Sequence, residues 1–173
     1  MNLNSLEDIF PGSSILNKKY YRLVAKFYAD DIDEIAHTIL FSWRYNPKGE
    51  FGVLYLSITP DCAYREKLKQ VFNREKDLPP LALGSFEVSI YRCLNLTDVT
   101  ILERLDIKYE SLITPYDFSI TQSISRKARN IGFEAIQAPS AIGKNCYSLV
   151  VFKDKLIPPS SCIFDKESLV DYP

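Results

Sequence analysis

Prolines and glycines cut this chain into short pieces, and the pieces alternate irregularly between helix starts and strand ends. That punctuation restricts the fold more than any other feature. Thr59-Pro60-Asp61 reads as a helix start, with Thr as the N-cap and Pro at the first helical position. The helix is predicted to run to about Arg74, with Tyr64, Leu68, Val71 and Phe72 as its apolar stripe. Pro79-Pro80 breaks the chain before a β-rich stretch in which Phe86, Val88 and Ile90 alternate with Glu87 and Ser89. Thr114-Pro115 is predicted to start a last main helix carrying Ile120, Ile124, Ala128 and Ile131 on one face, closed by Gly132. Further strands are expected over Tyr20 to Phe27, Gly52 to Ile58, Glu134 to Gln137 and Tyr147 to Phe152. A short helix is expected around His37, where Asp31 and Glu34 resemble a capping box, and a type I turn over Asn46-Pro47-Lys48-Gly49.

Helices and strands follow one another without regular alternation or fixed-period repeat, which is an α+β pattern in a single compact domain. Neither a Rossmann GxGxxG nor a P-loop accompanies it. Residues 1–19 read as a loose N-terminal arm, 20–155 as the domain body, and 156–173 as an extended, irregular and accessory tail. A chain of 173 residues that is 46% hydrophobic has enough apolar surface for one proper core.

Several function classes are disfavoured. The formal net charge of -1 lacks the basic excess that neutralises phosphate backbones, which argues against nucleic acid as the main partner. No stretch reaches the ~18 uncharged apolar residues of a membrane span, and the first residues carry acids where a signal peptide has an apolar core. Cys62, Cys93, Cys146 and Cys162 form no CxxC pair and read as reduced thiols of a cytoplasmic protein, with no metal site expected. The only histidine, His37, reads as a plain helix residue, so chemistry built on a His base has one candidate.

Few residues stand out on physical grounds. Arg44, between Trp43 and Tyr45, can present its planar fork to a phosphate or carboxylate, or simply stack on Trp43. Glu66 falls nearly opposite the predicted apolar stripe, which normally means solvent, although Cys62 and Ala63 beside it allow a crevice wall. Ser140 follows Ala138-Pro139, where a hydroxyl commonly forms a turn, and Tyr55 sits within a strand, where a core aromatic is usual.

Their combination says more. Trp43 to Gly49 (WRYNPKG), Val53 to Ser57 (VLYLS) and Thr59 to Glu66 (TPDCAYRE) resemble the first signature block of the RES family. Ala128 to Ile136 (ARNIGFEAI), Ala138 to Ala141 (APSA) and Asn145 to Phe152 (NCYSLVVF) resemble the second, and Tyr21-Arg22 is similar to the family's early aromatic–Arg pair. The Arg, Glu and Ser for which the family is named fall on Arg44, Glu66 and Ser140. Ser42-Trp43 stands where many members have Gly-Gly.

The resemblance implies a fold like that of NAD-using ADP-ribosyltransferase toxins, with NAD as substrate and no metal. It implies the toxin half of a bacterial pair whose partner is an Xre-like helix-turn-helix antitoxin. Under it, Arg22 and Arg44 bind the pyrophosphate, Tyr55 lies against nicotinamide, Glu66 faces the ribose and Ser140 orients it. Cleavage by water or phosphate, transfer to a protein side chain, and a catalytically inactive binding module all stay open.

Overall fold

Val53, Leu54, Tyr55 and Leu56 form an uninterrupted apolar run because their strand is covered on both faces. In the computed structural model, which describes residues 1–173, β2 (Leu54–Ser57) pairs antiparallel with β5 (Tyr147–Val151), and β5 pairs with β4 (Ala135–Pro139). Leu54 and Leu56 join Leu149, Val151 and Ala135 in an inner cluster with Phe86, Val88 and Ile90. Val53, Val150, Ile136 and Ala138 point the opposite way, into a second cluster built with the helices. The period-2 alternation of side chains therefore feeds two cores from one sheet.

The spine is β3 (Leu81–Asn95), which follows the Pro79-Pro80 break. One edge of β3 pairs antiparallel with β1 (Ser14–Ala25), from Ala25 opposite Leu81 to Ser14 opposite Cys93. The other edge pairs parallel with β4 at Cys93 to Asn95, and antiparallel with β6 (Ser161–Tyr172) over Leu81 to Ser89. Since β1 also meets β2 at Tyr21 and Ser57, the pairing runs a closed circuit β1-β2-β5-β4-β3, with β6 added outside it. The α+β architecture of the sequence reading holds. No helix is long and apolar enough to cross a membrane.

The helices pack on one side. α1 (Ser5–Ile9), α3 (Val99–Leu105), α4 (Tyr109–Leu112) and α5 (Ser119–Ile131) contribute Leu6, Ile9, Leu102, Leu105, Leu112, Ile124 and Ala128 to the outer cluster. α5 begins later than Thr114-Pro115 suggested: its N-cap position is Phe118, and Asp117 just before it accepts from Ser119 N at 2.9 Å. Its end is as expected: Gly132 takes φ +118° and its N–H closes on Ala128 O. α2 (Pro60–Gln70) has the expected Thr59 cap, with Oγ1 accepting from Cys62 N at 3.1 Å. It stops short of Arg74, where Phe72 and Asn73 adopt left-handed φ. Its buried residues are Cys62 and Ala63, whereas Phe72 is 81% exposed, so the expected stripe is not its packed face.

Three further readings are corrected. The first 19 residues are no loose arm: Leu6 and Ile9 are core residues, and β1 already starts at Ser14 because β3 is long enough to pair that far. The 156–173 tail is no irregular accessory, since it holds β6. Buried Glu134 anchors its start by accepting from Ile157 N at 2.9 Å and Ser160 Oγ at 2.6 Å. The helix around His37 is replaced by 3-10 turns at Lys26–Asp31 and Thr38–Leu40, a short connection that Thr38 ties to Val53 through its hydroxyl.

Candidate active site

Glu66 lies one helical turn after Cys62, so the two side chains share a face of α2. That face looks onto the loop from Ser140 to Cys146 between β4 and β5. Ser140, 4% exposed, donates its Oγ hydrogen to Glu66 Oε1, and its Oγ accepts from Ile142 N at 3.3 Å. Ser140 N donates to Cys146 O at 3.0 Å, closing the base of the loop. A carboxylate oriented by a buried hydroxyl is thus built where the helix meets the loop.

Three contacts hold the loop on α2. Arg65 Nη2 donates to Ile142 O at 2.7 Å, Lys69 Nζ donates to Ala141 O at 3.2 Å, and Cys62 is disulfide-bonded to Cys146. The bond corrects the expectation of four reduced thiols; only Cys93 and Cys162 are free. Spacing hid it, because the two cysteines are 84 residues apart in sequence. The sheet brings them together: Ser57 pairs with Ser148, so the residues after β2 and those before β5 emerge at the same end, leaving the Cα atoms 5.6 Å apart. Cys146→Ser is expected to lower stability by about 2–4 kcal/mol, as for release of a long closed loop. Thermal unfolding with and without reductant checks this; an unchanged Tm for the variant would show that Arg65 and Lys69 suffice.

A second group lies where α2 meets β1. Arg22 Nη1 donates to Ile32 O at 2.7 Å, and Nη2 stands 3.5 Å from His37 Nε2. Burial lowers the Arg22 pKa to about 10, opposed by Asp33. Burial and then the Arg22 charge lower the His37 pKa. Lys67, next to Glu66, is held below the ordinary lysine range by burial and then by Arg22, with Glu66 opposing. The sequence reading did not single out Lys67, which directly follows Glu66.

Arg44 and Tyr55 form a third group. Arg44 Nη1 donates to Leu112 O at 2.9 Å and Thr114 O at 2.8 Å, and the guanidinium lies over Phe118, 5.0 Å from the ring centroid. Neither bond reaches Glu66 or Ser140. The Tyr55 hydroxyl accepts from Tyr45 N and donates to Asn46 Oδ1, both at 2.9 Å, while Asn46 Nδ2 donates to Thr38 O and Phe41 O. Asn46 and Tyr55 thus fix the backbone that presents Arg44, and the Tyr55 ring packs against the outer core. Trp43 stays at the surface beside Phe41, 45% exposed. The structure therefore brings Glu66 and Ser140 into contact, holds Arg22 in a separate group with His37, and carries Arg44 on a clamp of its own.

In fold, the chain is similar to a chain in the crystal structure of the M. tuberculosis MbcT–MbcA toxin–antitoxin complex, with TM-score 0.74 at 17% identity, covering 97% of this chain and 92% of that one. No curated protein matches it in sequence. The family model for the RES domain matches residues 19–164, a span that takes in β1, the Arg44 clamp, α2 with Glu66, and the Ser140 loop. The chain belongs to the RES-domain family.

Proposed function

We propose that this protein is a toxin that binds NAD and cleaves its nicotinamide–ribose bond, acting in the cytoplasm and silenced by an Xre-like helix-turn-helix antitoxin. The observation that carries the reading is the bond between Ser140 and Glu66 in a chain of the RES family. The likeness in fold to a chain of a toxin–antitoxin complex supports the partner.

Glu66 supplies a fixed negative charge to the ribose as the glycosidic bond breaks and the sugar becomes oxocarbenium-like. The bonding pair leaves with nicotinamide, whose ring nitrogen starts positively charged, so a neutral molecule departs without a proton being delivered. Ser140 holds Glu66 in position and, without a His partner, is not the nucleophile. Arg22 and Arg44 retain donors for the pyrophosphate, and the new bond forms either to the oxygen of water, whose proton passes to solvent, or to an anionic oxygen of phosphate.

Expression without the antitoxin is expected to arrest bacterial growth and deplete cellular NAD, and co-expression of the antitoxin encoded beside it to restore both. Normal growth with unchanged NAD, despite folded protein in the cell, would contradict the reading.

A further inference from the structure

Three lysines of this chain are other than exposed: Lys67, Lys127 and Lys153. Lys127 pairs with Glu7, and Lys153 pairs with Asp33. Lys67 has no such partner; its ammonium makes neither a hydrogen bond nor an ion pair within the protein. A half-buried charge without a partner is unfavourable, and cations so placed are ordinarily paired. The groups facing it make matters worse: Arg22 from the β1 side repels it, the neutral His37 ring beside Arg22 offers no charge, and the Glu66 carboxylate is engaged by Ser140. Arg22 itself has committed Nη1 to backbone carbonyls and points Nη2 at His37, leaving Nε without an acceptor in the protein. Lys67, directly after Glu66 on α2, and Arg22 on β1 are therefore two cations where the helix packs on the strand, with too little negative charge to satisfy them.

We propose that Lys67 and Arg22 form an anion subsite that takes a phosphoryl group, with Lys67 as a binding residue of the Glu66–Ser140 site. The inference rests on the reading of that site as one for a phosphorylated nucleotide. A phosphoryl group offers oxygens to both cations at once, and its charge relieves the repulsion between them. The compact ammonium serves as a point charge and the guanidinium as a fork. The phosphoryl chemistry is shared by the pyrophosphate of a dinucleotide and by free inorganic phosphate.

Calorimetric titration of the full chain with ADP, and separately with inorganic phosphate, tests the subsite. Lys67→Met keeps the length of the side chain and removes its charge; Lys67→Arg keeps the charge. Lys67→Met is expected to bind at least one of the two ligands about tenfold more weakly than the parent, with Lys67→Arg restoring most of the loss. Loss confined to ADP identifies the pyrophosphate as the occupant, and loss confined to phosphate identifies the free ion. Thermal unfolding without ligand gives a second reading: Lys67→Met should melt no lower than the parent, since it removes an unpaired charge, and should gain less from added ligand. Equal binding of both ligands by the parent and Lys67→Met, or no binding of either by the parent, overturns the subsite. A parent that binds phosphate through Lys67 but releases no nicotinamide leaves the subsite standing while NAD cleavage falls.

Discussion

Glu66→Gln is expected to lower kcat for nicotinamide release by about 10²–10³, the usual cost of one preorganised electrostatic group. KM should change little, because the substitution removes an interaction that strengthens only as the ribose becomes cationic. Glutamine keeps the length of the side chain and an oxygen for the Ser140 hydroxyl to donate to, so the loop and helix should stay in register. Ser140→Ala removes the positioning bond but leaves the carboxylate, and should cost less, on the order of 1–3 kcal/mol. Steady-state assays of the two purified variants check the order of effects. Turnover by Glu66→Gln at the parental rate would show that the chemistry lies elsewhere.

Glu134→Ala is expected to be the most destabilising single substitution, at about 3–5 kcal/mol, because it strips one partner from a buried charged network. Glu134 is fully buried and accepts from Arg92 N, Arg92 Nη2, Ile157 N and Ser160 Oγ. It ties the start of β4, the C-terminal end of β3 and the approach to β6 into one joint. Burial opposes its ionisation, but the Ser160, Arg92 and Ile157 hydrogen bonds outweigh burial and hold its pKa below the usual carboxylate range. A depressed carboxylate stabilises the fold above its unfolded pKa of ~4.3, and that contribution is lost as pH falls through the lower folded value. Thermal unfolding should show Glu134→Ala melting about 10 °C below the parent at neutral pH. The gap should narrow in acid; a gap that stayed constant below pH ~4 would contradict the assignment.

The elements legible in the sequence were those fixed by neighbours along the chain. The Thr59 cap, the Gly132 stop and the apolar runs of β2 and β5 all follow from a few adjacent residues. What was lost depends on distant pairing. β6 carries Asp165, Lys166, Glu167 and Asp171 because it is an outer strand, and that mixed polarity reads as a tail until β3 is seen beside it. The 14–19 stretch is polar for a similar reason, being the exposed part of β1, and the Cys62–Cys146 bond needs the β2–β5 register. Helical periodicity around His37 misled because Asn46 and Thr38 organise that segment through side-chain-to-backbone bonds, which compete with helix.

At the site, physical reading alone turned Glu66 toward solvent, since Tyr64, Leu68 and Phe72 looked like the packed face of α2. Only the family resemblance joined Glu66 to Ser140, and the structure supplies the reason: Cys62, Arg65 and Lys69 turn this face onto the Ser140 loop. Arg44 was legible as a positioned guanidinium. The carbonyls of Leu112 and Thr114 that position it were not, because they lie about seventy residues further along the chain.

On the reading proposed above, the Glu66–Ser140 pair breaks the nicotinamide–ribose bond of NAD. The most direct measurement is the release of nicotinamide from NAD by the purified, antitoxin-free protein, assayed with and without inorganic phosphate. The account predicts many nicotinamide molecules released per protein molecule, with phosphate dependence identifying phosphate as the acceptor and independence identifying water. Folded protein that leaves NAD intact under both conditions would contradict it.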